Sequence, residues 1–273
     1  MITLDDSFNR SALLLGNDVM RRLADTHVII FGVGGVGSWC AEGLIRSGIG
    51  HLTIVDSDSV AVSNINRQAM ATSLTVGQPK VDALRERLLA INPTADIVAL
   101  REKYTKDTAV SFNLGAFDYV VDAIDSLANK IELILHATSV VQTQKAALRA
   151  ADPSLRDKAV PTKTTFFSAM GAALKTDPSL IRVSEFWEVD GCPLARAIRK
   201  RMKSMERFPA SKFRCVWSSE VLSNRELPPV GTAAVGNDAS KAQINGSLVH
   251  ITAIFGFTLA SMVINHLQSK KDI

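Results

Sequence analysis

With 273 residues, 47% of them hydrophobic and 21% charged, the chain reads as globular rather than disordered and is long enough to bury a large core. Three cysteines (Cys40, Cys192 and Cys215) without a CxxC pair argue against a disulfide scaffold and a four-cysteine zinc site, and make a reducing cytoplasm the expected compartment. The formal net charge of +4 is small, so the placement of the cations matters more than their sum.

The N-terminal stretch MITLDDSFNR carries acids and no apolar run, so no signal peptide is expected. Residues 28–31 (VIIF) lead straight into GVGGVG, the pattern of a buried strand entering a tight turn. Helical spacing over 38–47, stopped by Gly48 and Gly50, and an apolar stretch over 51–55 complete a right-handed βαβ unit. Residues 79–92 predict an amphipathic helix with Val81, Leu84, Leu88 and Ile91 on one side. Strands are expected over 96–100 and 117–125, then a helix over 130–138; the polar, alanine-rich 139–158 reads as its continuation and an exposed loop. Further on come strands over 162–167 and 181–189, a basic helix over 194–205, and a mobile loop over 222–239. Residues 248–267 are long enough to span a membrane. His250, Thr252, Thr258, Ser261, Asn265 and His266 within them favour a buried core or interface helix instead, so no membrane is expected. The expected fold class is α/β: a Rossmann-like, mostly parallel sheet with helices on both faces, extended by a smaller mixed α/β C-terminal half.

Gly32, Gly34, Gly35 and Gly37 let the backbone approach a phosphate closely, and the helix that follows offers free N–H groups and a positive dipole end. Asp56, 19 residues beyond Gly37, ends the second strand, where a carboxylate accepts ribose hydroxyls; Asp58 joins the same nucleotide-binding set. These features permit either a nicotinamide cofactor or ATP. The following SNINRQ suits attack on an α-phosphate, which needs cations for the departing pyrophosphate and a carboxylate for magnesium. Arg67 and Lys80 are the right cations, Asn64 and Gln68 can donate amide hydrogens, and either Asp122 or Asp125 can hold the metal.

FNRSALLLG, GVGGVGSW, DSDSVAVSNINRQ, GQPKVDAL, INP and DAIDS, in this order, resemble the ubiquitin-activating-enzyme superfamily of adenylating enzymes. The resemblance implies Asp56 as ribose acceptor, Asn64, Arg67, Gln68 and Lys80 as phosphate contacts, and Asp125 as the Mg2+ ligand. It implies that Arg10 reaches ATP in the other subunit of a homodimer. GIGHLTIVDSD, DAIDS, PLARAIRKRMK and TAIFGFTLA are more similar to the tRNA threonylcarbamoyladenosine dehydratases within that superfamily. That implies one adenylating domain over 1–273, with an ATP-binding half over 22–138 and a substrate-binding and dimerisation half over 159–273. It also implies tRNA carrying threonylcarbamoyladenosine as substrate, and leaves room for a monovalent cation and a sulfur-transfer protein partner. Some bacterial members have a cysteine just before the C-terminal hydrophobic helix; this chain has QINGSL there.

Between Arg196 and Arg214 eight cations face a single acid, Glu206. Arg196, Arg199, Lys200 and Lys203 share a helix face at three- and four-residue spacing, which suits phosphate neutralisation. Phe208, Phe213 and Trp217 flank it, either as core residues or as stacking partners for an unpaired base. The rival readings are an adenylyltransferase for the C-terminal diglycine of a sulfur-carrier protein, a silent nucleotide-sensing scaffold, and an NAD-dependent oxidoreductase. The last leaves SNINRQ without a purpose.

Overall fold

Beyond His27, β1 (His27–Phe31) is buried on both faces, and its alternation sorts the molecule into layers: Val28 and Ile30 join one apolar cluster, Ile29 and Phe31 the other. The computed structural model, which describes residues 4–156, 158, 160–226 and 245–269, sets this strand in a seven-stranded sheet. The other strands are β2 (His51–Val55), β3 (Asp96–Leu100), β4 (Tyr119–Asp122), β5 (Thr165–Ala169), β6 (Ile181–Glu185) and β7 (Arg214–Ser218). Their order is β3-β2-β1-β4-β5-β7-β6, parallel throughout except for the antiparallel β6–β7 pair at one edge. The order reverses between β1 and β4. In an open α/β sheet this is where a crevice opens at the C-terminal ends of the strands.

Helices α1 (Leu4–Leu15) and α2 (Asn17–Ala24) precede the sheet and pack on each other. Against one face lie α3 (Gly37–Arg46) and α4 (Lys80–Leu89), and against the other α5 (Leu127–Ala151) and α6 (Pro193–Ser204). The last helix, α7 (Val249–Ser269), returns to the first face and crosses α3 at backbone distance. A Cβ on Gly256 would sit 2.5 Å from the Val36 carbonyl oxygen, and one on Gly43 would sit 3.1 Å from the Ala260 methyl. By length and composition α7 is apolar enough to cross a membrane, yet half of its apolar window is buried inside the fold.

The boundaries differ from the expected ones for local reasons. β4 stops at Asp122: Ala123 N still donates to the Phe31 carbonyl, and residues 124–125 leave the ladder before α5 begins. That helix runs 25 residues, and its last buried residue is Val141, so the turns beyond it carry no buried stripe. β5 starts three residues later than 162, and β6 ends where Phe186–Glu188 winds into a 3-10 turn. β7, a strand with no counterpart in the sequence reading, fills the gap between β5 and β6. Residues 227–239, most of the segment expected to be a mobile loop, lie outside the described residues.

Candidate nucleotide-activating site

The glycine turn divides its glycines between two jobs. Gly32 has φ of 83°, and a Cβ there would lie 2.8 Å from the Ala123 carbonyl oxygen. A Cβ on Gly37 would overlap the Gly32 carbonyl oxygen at 1.9 Å, and one on Gly35 would press on Thr252 at 3.2 Å. Gly32 and Gly37 are demanded by the fold, and Gly35 lies in tight contact with α7. Gly34 is different: its Cβ position meets only the Gln68 Nε2, at 3.8 Å. The bare backbone at Gly34 therefore leaves room above the turn, next to a side chain whose buried Oε1 has no hydrogen-bond partner among the described residues. An open backbone cradle beside an orphaned amide is what a phosphate-and-ribose ligand would fill.

The SNINRQ loop is bolted onto this turn. Ser38 Oγ donates to the Gly34 carbonyl at 2.7 Å and accepts from Ala69 N at 3.1 Å, and Trp39 Nε1 donates to the Arg67 carbonyl at 2.9 Å. The Asn66 amide donates to the Ser247 carbonyl at 3.0 Å, which brings the start of α7 to the same place. Sequence spacing does not single out Ser38, Trp39, Ser247 or Thr252; the signal for the first two is their position right after the glycines. Asn64 Oδ1 accepts from Ala61 N at 3.1 Å and so also shapes the loop.

Asp56 stands at the C-terminal end of β2, its side chain 11% exposed. One carboxylate oxygen accepts from Val33 N and the other from Asp58 N, each at 2.9 Å. Lys80 opens α4 and points back at these acids, with Nζ 2.8 Å from Asp58 and 3.9 Å from Asp56. Burial raises the Asp56 carboxyl above the usual aspartate range, against the pull of the Lys80 charge. Burial lowers the Arg67 guanidinium, and the charge of Asp125 opposes that shift, so these two face each other electrostatically. The Arg67 side chain also donates to the Ser63 carbonyl at 2.8 Å and to Asn66 Oδ1 at 2.9 Å.

The two acids of DAIDS separate by burial. Asp122 is fully buried and bound to Lys130 Nζ at 2.8 Å and Ser168 Oγ at 2.7 Å, so of the two carboxylates it is the one withdrawn from a ligand. Asp125 is exposed at the crevice. Arg10 is exposed on α1, an element that packs on α2. All three cysteines are buried; burial pushes the Cys40 thiol up, and the Cys215 thiol up to about 12.

The motif geometry has a match among known proteins. The family model described as the ThiF family matches residues 8–273. The chain belongs to the ThiF family. It is similar to the tRNA threonylcarbamoyladenosine dehydratase of Bacillus subtilis, with 36% identity over 196 residues that cover 72% of this chain and 68% of that one. It is 31% identical over 273 residues to the Escherichia coli protein of the same name, covering 96% and 94%. The crystal structure of E. coli tRNA N6-threonylcarbamoyladenosine dehydratase in complex with ATP superposes with a TM-score of 0.75 at 29% identity, covering 96% of this chain and 94% of that chain.

On this ThiF-family scaffold the basic helix α6 presents Arg196, Lys200, Arg201 and Lys203 to solvent. Arg199 does not belong with them: its guanidinium turns inward, donating to the carbonyls of Phe186 at 3.1 Å and Val189 at 2.9 Å over the Phe186 ring. The aromatics also sort themselves. Phe213 is buried against Phe166 and Phe186, and Trp217 Nε1 donates to Ser184. Phe208 is 50% exposed and lies 6.4 Å from Trp187, itself 42% exposed. The exposed aromatic pair beside the cations is thus Trp187–Phe208.

Proposed function

We propose that the chain is an ATP-dependent tRNA threonylcarbamoyladenosine dehydratase. The observation that carries this reading is the convergence of Gly34, Gln68, Asp56, Lys80, Arg67 and Asp125 on the crevice at the β1/β4 switch point. Such a set binds a nucleotide and neutralises pyrophosphate as it leaves; it offers no proton-donor constellation for hydride chemistry. ATP lies over the glycine turn with its ribose on Asp56. An oxygen of the threonyl carboxylate attacks the α-phosphorus, the bond to the β-phosphate oxygen breaks, and pyrophosphate departs against Arg67 and Lys80. The ureido group of the same nucleoside then attacks the acyl carbon, AMP leaves, a proton is lost, and a ring closes with net loss of water. Magnesium, held by Asp125, would offset phosphate charge when bound. The chain's contribution is positioning and charge stabilisation.

The exposed cations of α6 and the Trp187–Phe208 pair form the RNA-facing surface in this reading, with phosphates on the former and an unpaired base on the latter. Leu13 and Leu14 on α1, 88% and 82% exposed, are covered by a second copy that brings Arg10 into the partner's site. The protein works in the cytoplasm.

The test is incubation of the purified chain with ATP, magnesium and tRNA bearing threonylcarbamoyladenosine, followed by mass spectrometry of the nucleosides. Loss of one water, with AMP and pyrophosphate formed, is expected; intact nucleoside and no AMP would refute the reading. A parallel arm with a sulfur-carrier protein tests the rival, where adenylation of the carrier's C-terminus is the signature. The absence of paired cysteines for zinc and the burial of all three thiols give that rival no support here.

A further inference from the structure

We infer that Asp122 and Lys130 form a positioning pair that sets the backbone carrying Asp125, and through it the affinity of the site for metal-bound nucleotide. The inference rests on the reading of Asp125 as the metal ligand. Both side chains are fully buried, and their charges meet at 2.8 Å. A buried ion pair is weak evidence for stability, since apolar residues of similar volume often do as well. What apolar residues cannot do is hold backbone groups, and this pair holds both of those of one residue. Ile124 N donates to Asp122 Oδ1 at 3.0 Å, and the Ile124 carbonyl accepts from Lys130 Nζ at 2.9 Å. Asp122 Oδ2 is completed by Ser168 Oγ at 2.7 Å from the neighbouring strand β5.

The residue before Ile124 is also pinned. Ala123 N donates to the Phe31 carbonyl at 2.9 Å, and its own carbonyl lies against Gly32. The bend that leaves β4 is therefore held at two successive residues, Ala123 by β1 and Ile124 by the ion pair. Asp125 is the first residue past the clamp and the one whose charge acts on Arg67. Lys130 lies in the first turns of α5, so the same contact ties the start of that helix to the bend. Asp122 and Lys130 are positioning residues: they act on the metal and on ATP only through Asp125.

The test uses the full chain with Mn2+ as the metal probe, ATP as the nucleotide, and the free Mn2+ signal in electron paramagnetic resonance as the readout. The double variant Asp122→Leu/Lys130→Met removes both charges and both holds on Ile124 at once, and so strands neither charge. Its ATP affinity in EDTA is expected to stay at the parent's value, while its dissociation constant for Mn2+ in the presence of ATP rises by about tenfold, the low end for groups that orient metal ligands. Added to Asp125→Ala, the same double substitution is expected to change nothing further, because its route to the metal is gone. An unchanged Mn2+ constant in the double variant would overturn the inference, and so would an equal rise in the Asp125→Ala background. If the double variant does not fold, Ser168→Ala removes one bond to Asp122 and leaves the pair; it should shift the Mn2+ constant the same way by about threefold, as one hydrogen bond is worth. No shift there would also overturn it. Because Mn2+–ATP binding is read without tRNA, a parent that binds metal and ATP but leaves the modified nucleoside intact refutes the proposed function and not the clamp.

Discussion

The indole nitrogen of Trp39 donates to the backbone carbonyl of Arg67, across 28 residues of chain, at 2.9 Å. The bond joins the helix that follows the glycine turn to the loop that carries Arg67, the arginine proposed to hold the phosphates. Trp39 also packs edge-on against Phe257 of α7, so phenylalanine in its place keeps an aromatic ring there and removes only the donor. Trp39→Phe should cost about 1 kcal/mol of stability, the net worth of a hydrogen bond. Its kcat should fall by roughly ten- to a hundredfold, as slight misplacement of a charge-stabilising group does. Thermal melting and AMP release measure the two; a normal kcat would mean that Arg67 holds its place without the indole.

Gly34 and Gly37 make opposite predictions within one turn. A Cβ on Gly37 overlaps the Gly32 carbonyl oxygen at 1.9 Å, so Gly37→Ala forces a backbone shift and should lose at least about 1–3 kcal/mol of stability. A Cβ on Gly34 meets the Gln68 amide nitrogen at an ordinary 3.8 Å. Gly34→Ala should therefore melt within about 1 kcal/mol of the parent. Its methyl group enters the space assigned to the phosphates, and ATP binding should weaken by about tenfold or more, or about 1.4 kcal/mol. Calorimetry on both variants checks this, and full ATP affinity in Gly34→Ala would move the phosphates off the turn.

Asp56 should make ATP binding sensitive to mild acid. Burial raises its carboxyl above the ordinary aspartate midpoint of about 3.9. A ribose acceptor works as the carboxylate, so ATP affinity is full at neutral pH and falls as pH drops through the raised midpoint. The fold without ATP responds with the opposite sign. The folded state holds this proton more tightly than the unfolded chain, so this group's contribution to stability is greatest below the unfolded midpoint and declines as pH rises through the folded one. The KM for ATP measured from neutral to acid pH should rise in the parent and stay high and flat in Asp56→Asn. A parent curve as flat as the variant's would remove Asp56 from the ribose.

The residues of the candidate nucleotide site are legible in the sequence because their placement is local. The glycine turn, Asp56 and SNINRQ each sit within a few residues of a strand end, and short-range spacing carried them. Asp122 and Asp125 were not separable that way. What distinguishes them is Ser168 from β5 and Lys130 from α5, which bury the first and leave the second at the crevice. β7 was hidden for a related reason: RCVWS is five residues with polar ends, and only its place between β5 and β6 buries its middle. Helical spacing alone also put Arg199 with the exposed cations of its helix, whereas the carbonyls of Phe186 and Val189 that turn it inward come from the preceding loop.

The thiols should prove dispensable. Cys215 is buried with its thiol pushed up to about 12, so it is a neutral thiol at working pH and a poor nucleophile. Cys192 is buried at the entry to α6. Cys192→Ala and Cys215→Ala should each cost roughly 1 kcal/mol of stability as small core truncations. Both should form AMP from ATP and substrate at near the parental rate. Abolished turnover in either well-folded variant would require a covalent thioester step.

RNA contact should split into a salt-dependent and a salt-independent part. Lys200 and Lys203 are exposed on α6, and each phosphate they neutralise releases counterions. Lys203→Ala should weaken tRNA binding and reduce the slope of log affinity against log salt by about 0.7–0.9, the share of one phosphate contact. In the proposed RNA surface the half-exposed rings of Trp187 and Phe208 are the stacking partners. Trp187→Ala should cost about 1–3 kcal/mol of binding with the slope unchanged. Arg199→Ala should behave unlike either, lowering the melting temperature because the carbonyls of Phe186 and Val189 each lose a donor. Fluorescence titrations of tRNA at several salt concentrations separate the three. A slope change in Trp187→Ala would mean that its neighbouring cations carry the contact, and equal affinity in both surface variants would move the RNA to another face.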